Sequence, residues 1–300
     1  MTSVLYDVPG PKAVVRNRII GVVAIVVVAA VLGWVVWRLA ATGQFTADKW
    51  NIFSYTAVWQ RFGEALLATL SAFIVAAIGA IVVGFVLGVG RLSDHAWLRV
   101  PVMWIVEVLR AIPVLIFMML LYYGLPVIGL KMSPYMAVVI ALIAYNGSVL
   151  AEVFRAGVES LPRGQSEAGY AIGLRKSGVM IRILLPQALR AMMPVVVAQL
   201  VVTLKDTALG YIITYQELLY TVKLLGSNAV YHSPLIPSAI VGGTIYVILC
   251  LLLSYVAYRL QKRTAKSPRV PKDPRKRDGA TLTEVIGLQT GAGKLDGHGF

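Results

Sequence analysis

The stretch RGQSEAGYAIGLRKSGVMIRILLP, residues Arg163–Pro186, is a polar interruption in a chain that is otherwise strongly apolar. The apolar runs on both sides are long enough to span a bilayer, so the stretch is expected to stand in water. Gly173 predicts the end of a first short helix, because glycine readily adopts the backbone angles of a helix stop. A second short helix is predicted over Leu174–Leu185, where Pro186 stops or turns it. Small side chains on the first helix predict a face that another protein can approach closely: Ala168, Gly169 and Ala171.

Composition indicates the class of protein. The chain has 300 residues, of which 58% are apolar and 14% are charged, and its mean hydropathy is +0.76. Soluble domains are nearer to about 45–50% apolar and about 25% charged. This is the composition of an integral membrane protein with too little polar sequence for a catalytic domain. The single cysteine, Cys250, lies in an apolar segment, which excludes a disulfide framework within the chain and a cysteine metal cluster. No metal site is expected.

Six apolar segments predict six membrane spans, at about 19–41, 64–90, 102–123, 134–154, 191–213 and 236–258. We therefore divide the chain into a cytoplasmic leader (1–18), a transmembrane domain (19–260) and a disordered basic tail (261–300). A cleaved signal peptide is the alternative for the first segment, but its apolar run is too long for a usual signal sequence. The transmembrane domain contains the polar loop described above, residues 156–190, which we call the coupling loop.

The positive charges predict the orientation of these spans. Most of the 28 Lys and Arg residues fall in the leader, the coupling loop and the tail. Under the positive-inside rule, this distribution places both termini and the coupling loop in the cytoplasm. The formal net charge of +14 then reflects membrane topology and a basic tail, and it does not indicate nucleic-acid binding.

The coupling loop resembles the EAA loop of permease subunits in ATP-binding-cassette (ABC) importers, in which Glu-Ala-Ala, three residues, Gly, nine residues and Ile-x-Leu-Pro follow one another. Gln165 stands just before the motif, and Gly169 departs from it by replacing the second Ala. The matching residues are Glu167, Ala168, Gly173, Ile183, Leu185 and Pro186. The resemblance implies that this loop sits in a groove of an ATPase subunit. The alternative is an ordinary amphipathic surface helix.

Four further blocks, residues 106–113, 151–157, 185–190 and 205–209, resemble segments of polar amino acid permeases. These form the branch of type I ABC importers that serves His, Arg, Lys, Gln, Glu and Asp. The resemblance implies an all-α integral membrane fold in a bacterial inner membrane. The opening residues 3–11 also look like those of a permease of a glutamate-uptake system.

The resemblance also implies a complex. Two permease subunits, identical or related, enclose one pathway, two ATPase subunits bind below them, and an external binding protein delivers the amino acid. The chain has no G-x-x-x-x-G-K-[ST] phosphate loop, so it is not expected to hydrolyse ATP itself. It should carry no cofactor, since ATP and Mg are bound by the partner ATPases. Open alternatives are a permease of another ABC branch, a secondary transporter, for which an internal repeat is missing, and a membrane scaffold.

Polar residues inside the spans are candidates for the substrate pathway, because each charge at a span centre costs about 2.5–3.5 kcal/mol. Glu107 and Arg110 share one helix face ahead of Pro113, which should bend that span. The fifth span carries Gln199, Thr203, Asp206 and Thr207 at offsets of 4, 7 and 8, which predicts one continuous polar face. Lys205 lies about 100° away from Asp206, and Asn146 lies in the fourth span.

An amino acid presents an ammonium and a carboxylate group, so its site needs both an acceptor and donors. Asp206 can receive the ammonium and Arg110 a carboxylate, with neutral hydrogen bonds from Asn146, Gln199 and Thr203. The uncharged Gln199 leaves room for glutamate or glutamine, whereas a carboxylate there would suit a cationic side chain. We expect glutamate as the cargo, or else glutamine or aspartate. The alternative is that these charges are structural pairs and that all selectivity lies in the binding protein.

Overall fold

The computed structural model describes residues 10–264, and each regular element within that range is a helix. Five helices are long and apolar enough to cross a membrane, and a bent helix pair can supply a sixth crossing. The expected all-α membrane fold with about six spans is thereby confirmed. In chain order the α-helices are α1 (Pro11–Ala41), α2 (Ala47–Trp50), α3 (Thr56–Arg91), α4 (Ala96–Ala111), α5 (Val114–Met119), α6 (Pro134–Glu159), α7 (Arg163–Ala171), α8 (Lys176–Val179), α9 (Leu185–Asp206), α10 (Leu218–Gly226) and α11 (Leu235–Thr264).

Helices α3 and α6 share the most extensive helix–helix interface among the described residues, and glycine makes their close approach possible. A Cβ atom on Gly84 would lie 2.7 Å from Cβ of Leu150 and 3.0 Å from the carbonyl oxygen of Gly147. A Cβ atom on Gly88 would lie 3.0 Å from Cβ of Phe154. Small residues at helix interfaces let backbones approach closely in membranes, where van der Waals packing drives association. Buried alanines continue this seam, among them Ala72, Ala76 and Ala80 of α3 and Ala137, Ala141 and Ala151 of α6.

The first helix differs from the other long helices because none of its residues is buried within the described chain. It begins at Pro11, whereas the sequence predicted a span from Ile19 after a polar leader. The earlier start has a local cause, since proline at the first helical position presets the backbone angle of a helix and has no N–H to leave unpaired. Residues 1–9 of the predicted leader lie outside the described residues.

The third predicted span, at about 102–123, is broken at Pro113, where the sequence predicted a bend. α4 ends at Ala111, Ile112 is extended, and α5 begins after Pro113. The two helical pieces, Ala96–Ala111 and Val114–Ile128, meet at 94°. A residue before proline is pushed out of the helical region, which explains the break.

Proline at position 186 does not stop the helix, contrary to the expectation from sequence. α8 is followed by a π-helical turn at Met180–Leu184 and then directly by α9, in which Pro186 stands in the first turn. The backbone N–H of Leu185 bonds to the carbonyl of Met180, five residues back. This wider turn leaves room for the proline ring, so the helix continues through Pro186. Single π turns inside α-helices are frequent at functional sites. As a result, Lys176–Ile213 forms one helical crossing of 38 residues.

The last helix also corrects a boundary. α11 continues to Thr264, past the predicted end of the transmembrane domain at residue 260. The rest of the predicted basic tail, residues 265–300, lies outside the described residues.

Candidate coupling loop and intramembrane polar site

The helix stop in the coupling loop is built as the sequence predicted. Gly173 has φ +82° and follows α7 directly after Ile172. Its N–H donates to the carbonyl of Tyr170 (2.9 Å), and the N–H of Leu174 donates to the carbonyl of Gly169 (3.1 Å). This hydrogen-bond pair is a Schellman motif, in which a left-handed glycine closes the helix end.

Gly169 faces its own chain, so it does not belong to an exposed docking face as the sequence suggested. A Cβ atom at this position would lie 2.8 Å from Cγ2 of Val179 and 2.9 Å from Cδ1 of Ile183. Gly169 is buried and Val179 is 0% exposed. The missing methyl group therefore lets α7 pack closely on the turn that leads into α9. Glu167 and Ala168 remain exposed, as predicted for a docking surface.

A hydrogen bond between two side-chain amides also joins α7 to α9. Nε2 of Gln187 donates to Oε1 of Gln165 (3.3 Å) and to the carbonyl oxygen of Ile183 (2.9 Å). Leu185 and Pro186 lie in the same first turn of α9. The motif residues of the loop are thus connected to α9 by packing, by hydrogen bonds and by the continuous backbone.

An ion pair attaches the start of α8 to the turn between α3 and α4, which lies outside the membrane spans. Nζ of Lys176, at the start of α8, contacts the carboxylate of Asp94. The hydrogen bond from Lys176 lowers the pKa of Asp94, and the charges of Lys176, His95 and Arg99 act in the same direction. Both paired side chains are well exposed, so the pair guides position more than it adds stability.

A hydrogen bond to the fourth span, α6, occupies part of the polar face that was predicted on the fifth span, α9. Nε2 of Gln199 donates to Oδ1 of Asn146 (2.7 Å), and Nδ2 of Asn146 donates to the carbonyl of Leu142 (3.0 Å). Asn146 is 0% exposed, so it positions Gln199 and does not offer a free group to a substrate. This corrects the role that sequence gave to Asn146. Gln199 remains half-buried.

Two threonines of the predicted polar face are also closed off. Thr203 donates to the carbonyl of Gln199 (2.9 Å), and Thr207 donates to that of Leu204 (2.7 Å). Both side chains are 0% exposed. Threonine in a helix commonly satisfies its hydroxyl on a carbonyl one turn back, and the periodicity of a sequence does not reveal this. Neither hydroxyl is therefore free to form a hydrogen bond with a substrate, contrary to the prediction from sequence for this face.

Asp206 and Lys205 lie on different sides of α9, as their spacing predicted. Asp206 is half-buried, and Lys205 is exposed and lines a cavity with Tyr246 and Cys250 of α11. No ion pair between Asp206 and Lys205 is found in the range 10–264. Of the four residues predicted to form the polar face of α9, Gln199 and Asp206 are thus the two whose side chains remain accessible to a ligand.

The charges of α4 belong to a different cluster from the polar face of α9. Nη1 of Arg91 lies 3.2 Å from Oε1 of Glu107 and 3.5 Å from Oε2 of Glu152, whereas Arg110 is 3.9 Å from Glu107. Arg155 then contacts Glu152 and Glu159. The nearest partner of Glu107 is therefore Arg91, which sequence placed in a loop, and no described ion pair or hydrogen bond joins this cluster to Gln199 or Asp206.

Sequence reasoning missed a buried carboxylate at the other end of the bundle. Glu217 is 0% exposed and accepts hydrogen bonds from the N–H groups of Leu219 (2.8 Å) and Tyr220 (2.7 Å) and from the hydroxyl of Tyr246 (2.6 Å). Burial raises the pKa of Glu217 to about 7. Its position directly before α10 is the one signal that could have indicated a helix cap. The residue ties α10 to α11.

Comparison with known proteins gives four informative matches. Residues 80–266 match the family described as binding-protein-dependent transport system inner membrane component. The chain is 36% identical over 245 residues to the glutamate transport system permease protein GluD of Corynebacterium glutamicum, covering 80% of this chain and 90% of that protein.

The other two matches are of the same kind. The chain is 30% identical over 200 residues to the probable glutamine ABC transporter permease protein GlnP of Bacillus subtilis, covering 67% of this chain and 92% of that protein. Among solved structures, an amino acid ABC transporter crystallised with histidines superposes with a TM-score of 0.65 at 25% identity. That match covers 73% of this chain and 100% of the other.

Proposed function

Because this chain belongs to the family of binding-protein-dependent transport system inner membrane components, we propose that the cargo of this amino acid ABC importer permease is glutamate. The observation that carries the proposal is the likeness to the glutamate permease GluD over most of both chains. Glutamine is the next candidate, since the GlnP relative is named for it.

The neutral side chain at position 199 supports an acidic or amide cargo. Gln199 is held by Asn146 at a fixed position in the half-buried face of α9. An amide offers hydrogen bonds of both kinds to a cargo side chain, whereas a carboxylate would repel that of glutamate. Asp206 would receive the ammonium group, because its carboxylate is half-buried and unbridged by a cation in the described structure.

The coupling loop would carry motion into this site through a short physical path. A displacement of α7 acts on Val179 and Ile183 through the close contact at Gly169. These residues belong to the helical crossing that continues into α9, which carries Gln199. Gln199 in turn is bonded to Asn146 of α6. Packed helices transmit a shift of this kind because their interfaces do not deform continuously.

The partners follow from this arrangement. ATPase subunits that bind ATP and Mg would dock on the exposed side of α7, which presents Glu167 and Ala168 and is followed by the well-exposed Ile172. This requires the coupling loop and both chain ends to lie in the cytoplasm. A second permease subunit would complete the pathway, and an external binding protein would supply the amino acid. The chain itself would contribute no catalytic group.

Reconstitution tests the cargo. The permease is purified with the ATPase subunit and the binding protein of its importer and placed in liposomes loaded with ATP, and uptake of labelled glutamate, glutamine, aspartate and arginine is compared. Glutamate should accumulate fastest at saturating binding protein. Preferential uptake of arginine, or uptake that does not require ATP, would contradict the proposal.

A further inference from the structure

A cavity of about 460 Å³, lined by both polar and apolar side chains, opens at the end of the bundle opposite the coupling loop. Three pieces of chain that are distant in sequence converge on it: the first turns of α3, the start of α6 and the segment that leads from Thr214 into α10. Its most polar lining residues are Arg61, Glu64, Tyr135, Gln216 and Tyr220. The cavity is separate from the polar face at Gln199, which contributes no residue to its lining.

Two opposite charges line this cavity without neutralising each other. Arg61 and Glu64 lie three residues apart on α3, a spacing that permits an ion pair. In the part of the chain that the structure describes, neither side chain takes part in an ion pair or a hydrogen bond. Both side chains are exposed. A cationic group and an anionic group are therefore both available to a ligand.

The rest of the wall is firmly held. Tyr215 is buried, its hydroxyl donates to the carbonyl of Ala68 (2.7 Å), and its ring packs on that of Tyr135 at 6.0 Å between centroids. Thr214 has φ +64°, a conformation that is uncommon for a residue with a Cβ atom and is found at sites that the surrounding fold fixes. The cavity thus has a rigid aromatic wall behind the two charges.

We propose that this cavity is an entry subsite for the zwitterionic head group of the cargo amino acid. Arg61 binds the α-carboxylate through charge-assisted hydrogen bonds, and Glu64 binds the ammonium group. The amide of Gln216 then faces the cargo side chain. The subsite rests on the proposed function, because it requires this end of the bundle to face outward and an amino acid to enter there.

A local reporter tests the subsite in the complete permease–ATPase complex in lipid nanodiscs, without the binding protein. Leu224, an exposed residue that lines the cavity, is replaced by cysteine and labelled with an environment-sensitive dye in a Cys250→Ser background. Titration with L-glutamate should give a saturable signal. Arg61→Gln and Glu64→Gln should each weaken apparent affinity at least about tenfold, equivalent to about 1.4 kcal/mol.

Matched controls remove exposed charges elsewhere on the chain. Lys131→Gln and Asp48→Asn each remove one charge that does not line the cavity, and both should leave the titration unchanged. A signal that never saturates, or one that Arg61→Gln and Glu64→Gln leave intact, would overturn the subsite. Binding of the external binding protein to the same two variants is measured separately. If the variants weaken that binding and leave the titration unchanged, the two charges serve docking and the subsite is wrong.

The same titration separates the subsite from the choice of cargo. If another amino acid gives the saturable signal with the same dependence on Arg61 and Glu64, the subsite stands and glutamate is wrong. If liposomes import glutamate but the dye reports no saturable binding, the cargo stands and the subsite is wrong.

Discussion

The coupling loop and the polar groups inside the bundle use their side chains in opposite ways. In the loop, Glu167 and Ala168 are exposed, and the tightest packing contact of α7 is the apolar one at Gly169. Inside the bundle, Asn146 and Glu217 are fully buried, and their polar atoms are bonded to neighbouring groups of the chain. The exposed side of the loop is therefore where we propose the contact with another protein, whereas the interior polar groups Asn146 and Glu217 hold helices together.

This difference separates the effects of mutations. Removing an interior polar group leaves its partners unsatisfied in a medium without water, which costs stability before it changes transport. Removing an exposed group of the loop should change coupling to the ATPase and leave stability nearly intact.

The largest expected loss of stability follows the change Glu217→Ala. It leaves two backbone N–H groups and the hydroxyl of Tyr246 without their acceptor, and we expect a cost of roughly 3–5 kcal/mol. Thermal unfolding in detergent measures it. Glu167→Ala is the comparison variant, expected within about 0.5 kcal/mol of the parent protein. Equal losses in the two variants would remove the distinction between the two regions.

Acid should stabilise the protein through the same residue. The pKa of Glu217 is raised from an ordinary 4.5 to about 7 by burial, so the folded protein binds this proton more tightly than the unfolded chain. The resulting stability is present below about pH 4.5 and is lost as pH rises through about 7, a change of roughly 2–3 kcal/mol. Thermal unfolding of the parent protein should shift upward from about pH 8 to about pH 5. Glu217→Gln should flatten this slope, and an unchanged slope would assign it to other groups.

The bond between the fourth and fifth spans should show a measurable coupling. Asn146→Leu leaves Gln199 without its buried acceptor and should cost about 1–3 kcal/mol. A double-mutant cycle with Gln199→Leu should give an interaction energy of roughly 1 kcal/mol. Additive effects of the two changes would mean that the 2.7 Å contact does not stabilise the protein.

The smallest expected change in stability comes from two glycines of α7, Gly169 and Gly164, which serve as test position and matched control. A Cβ atom at Gly169 meets Val179 and Ile183 below 3.0 Å, whereas one at Gly164 meets nothing within 4 Å. Gly169→Ala should cost about 1 kcal/mol through overpacking and lower uptake. Gly164→Ala should gain up to about 1 kcal/mol of helix stability and leave uptake unchanged. The same sign of change in both variants would show that the contact at Gly169 has no special role.

Sequence predicted the local features well because their causes are local. The bend at Pro113 and the helix stop at Gly173 both follow from the backbone behaviour of single residues. It did not predict that Pro186 would be absorbed by a π turn, because that depends on hydrogen bonding five residues back.

The candidate site was less predictable, because it depends on which groups bond to each other across helices. The spacing of polar residues placed Gln199 and Thr203 on the same face of α9 and could not distinguish them. In the structure Gln199 remains partly accessible, whereas the hydroxyl of Thr203 donates to a carbonyl of its own helix. The pairing of Glu107 with Arg91 joins residues on two helices, and no local pattern indicates it. Glu217 was overlooked since it lies between two spans and outside every motif.

The ratio of amino acid imported to ATP hydrolysed tests the central claim, that the contact at Gly169 transmits motion from the coupling loop to α9. It is measured in proteoliposomes for Gly169→Leu, with Gly164→Leu as the control. We expect ATP hydrolysis to persist in Gly169→Leu while import per ATP falls at least about tenfold, the size of effect that about 1.4 kcal/mol of lost coupling produces. An unchanged ratio in Gly169→Leu would contradict the account.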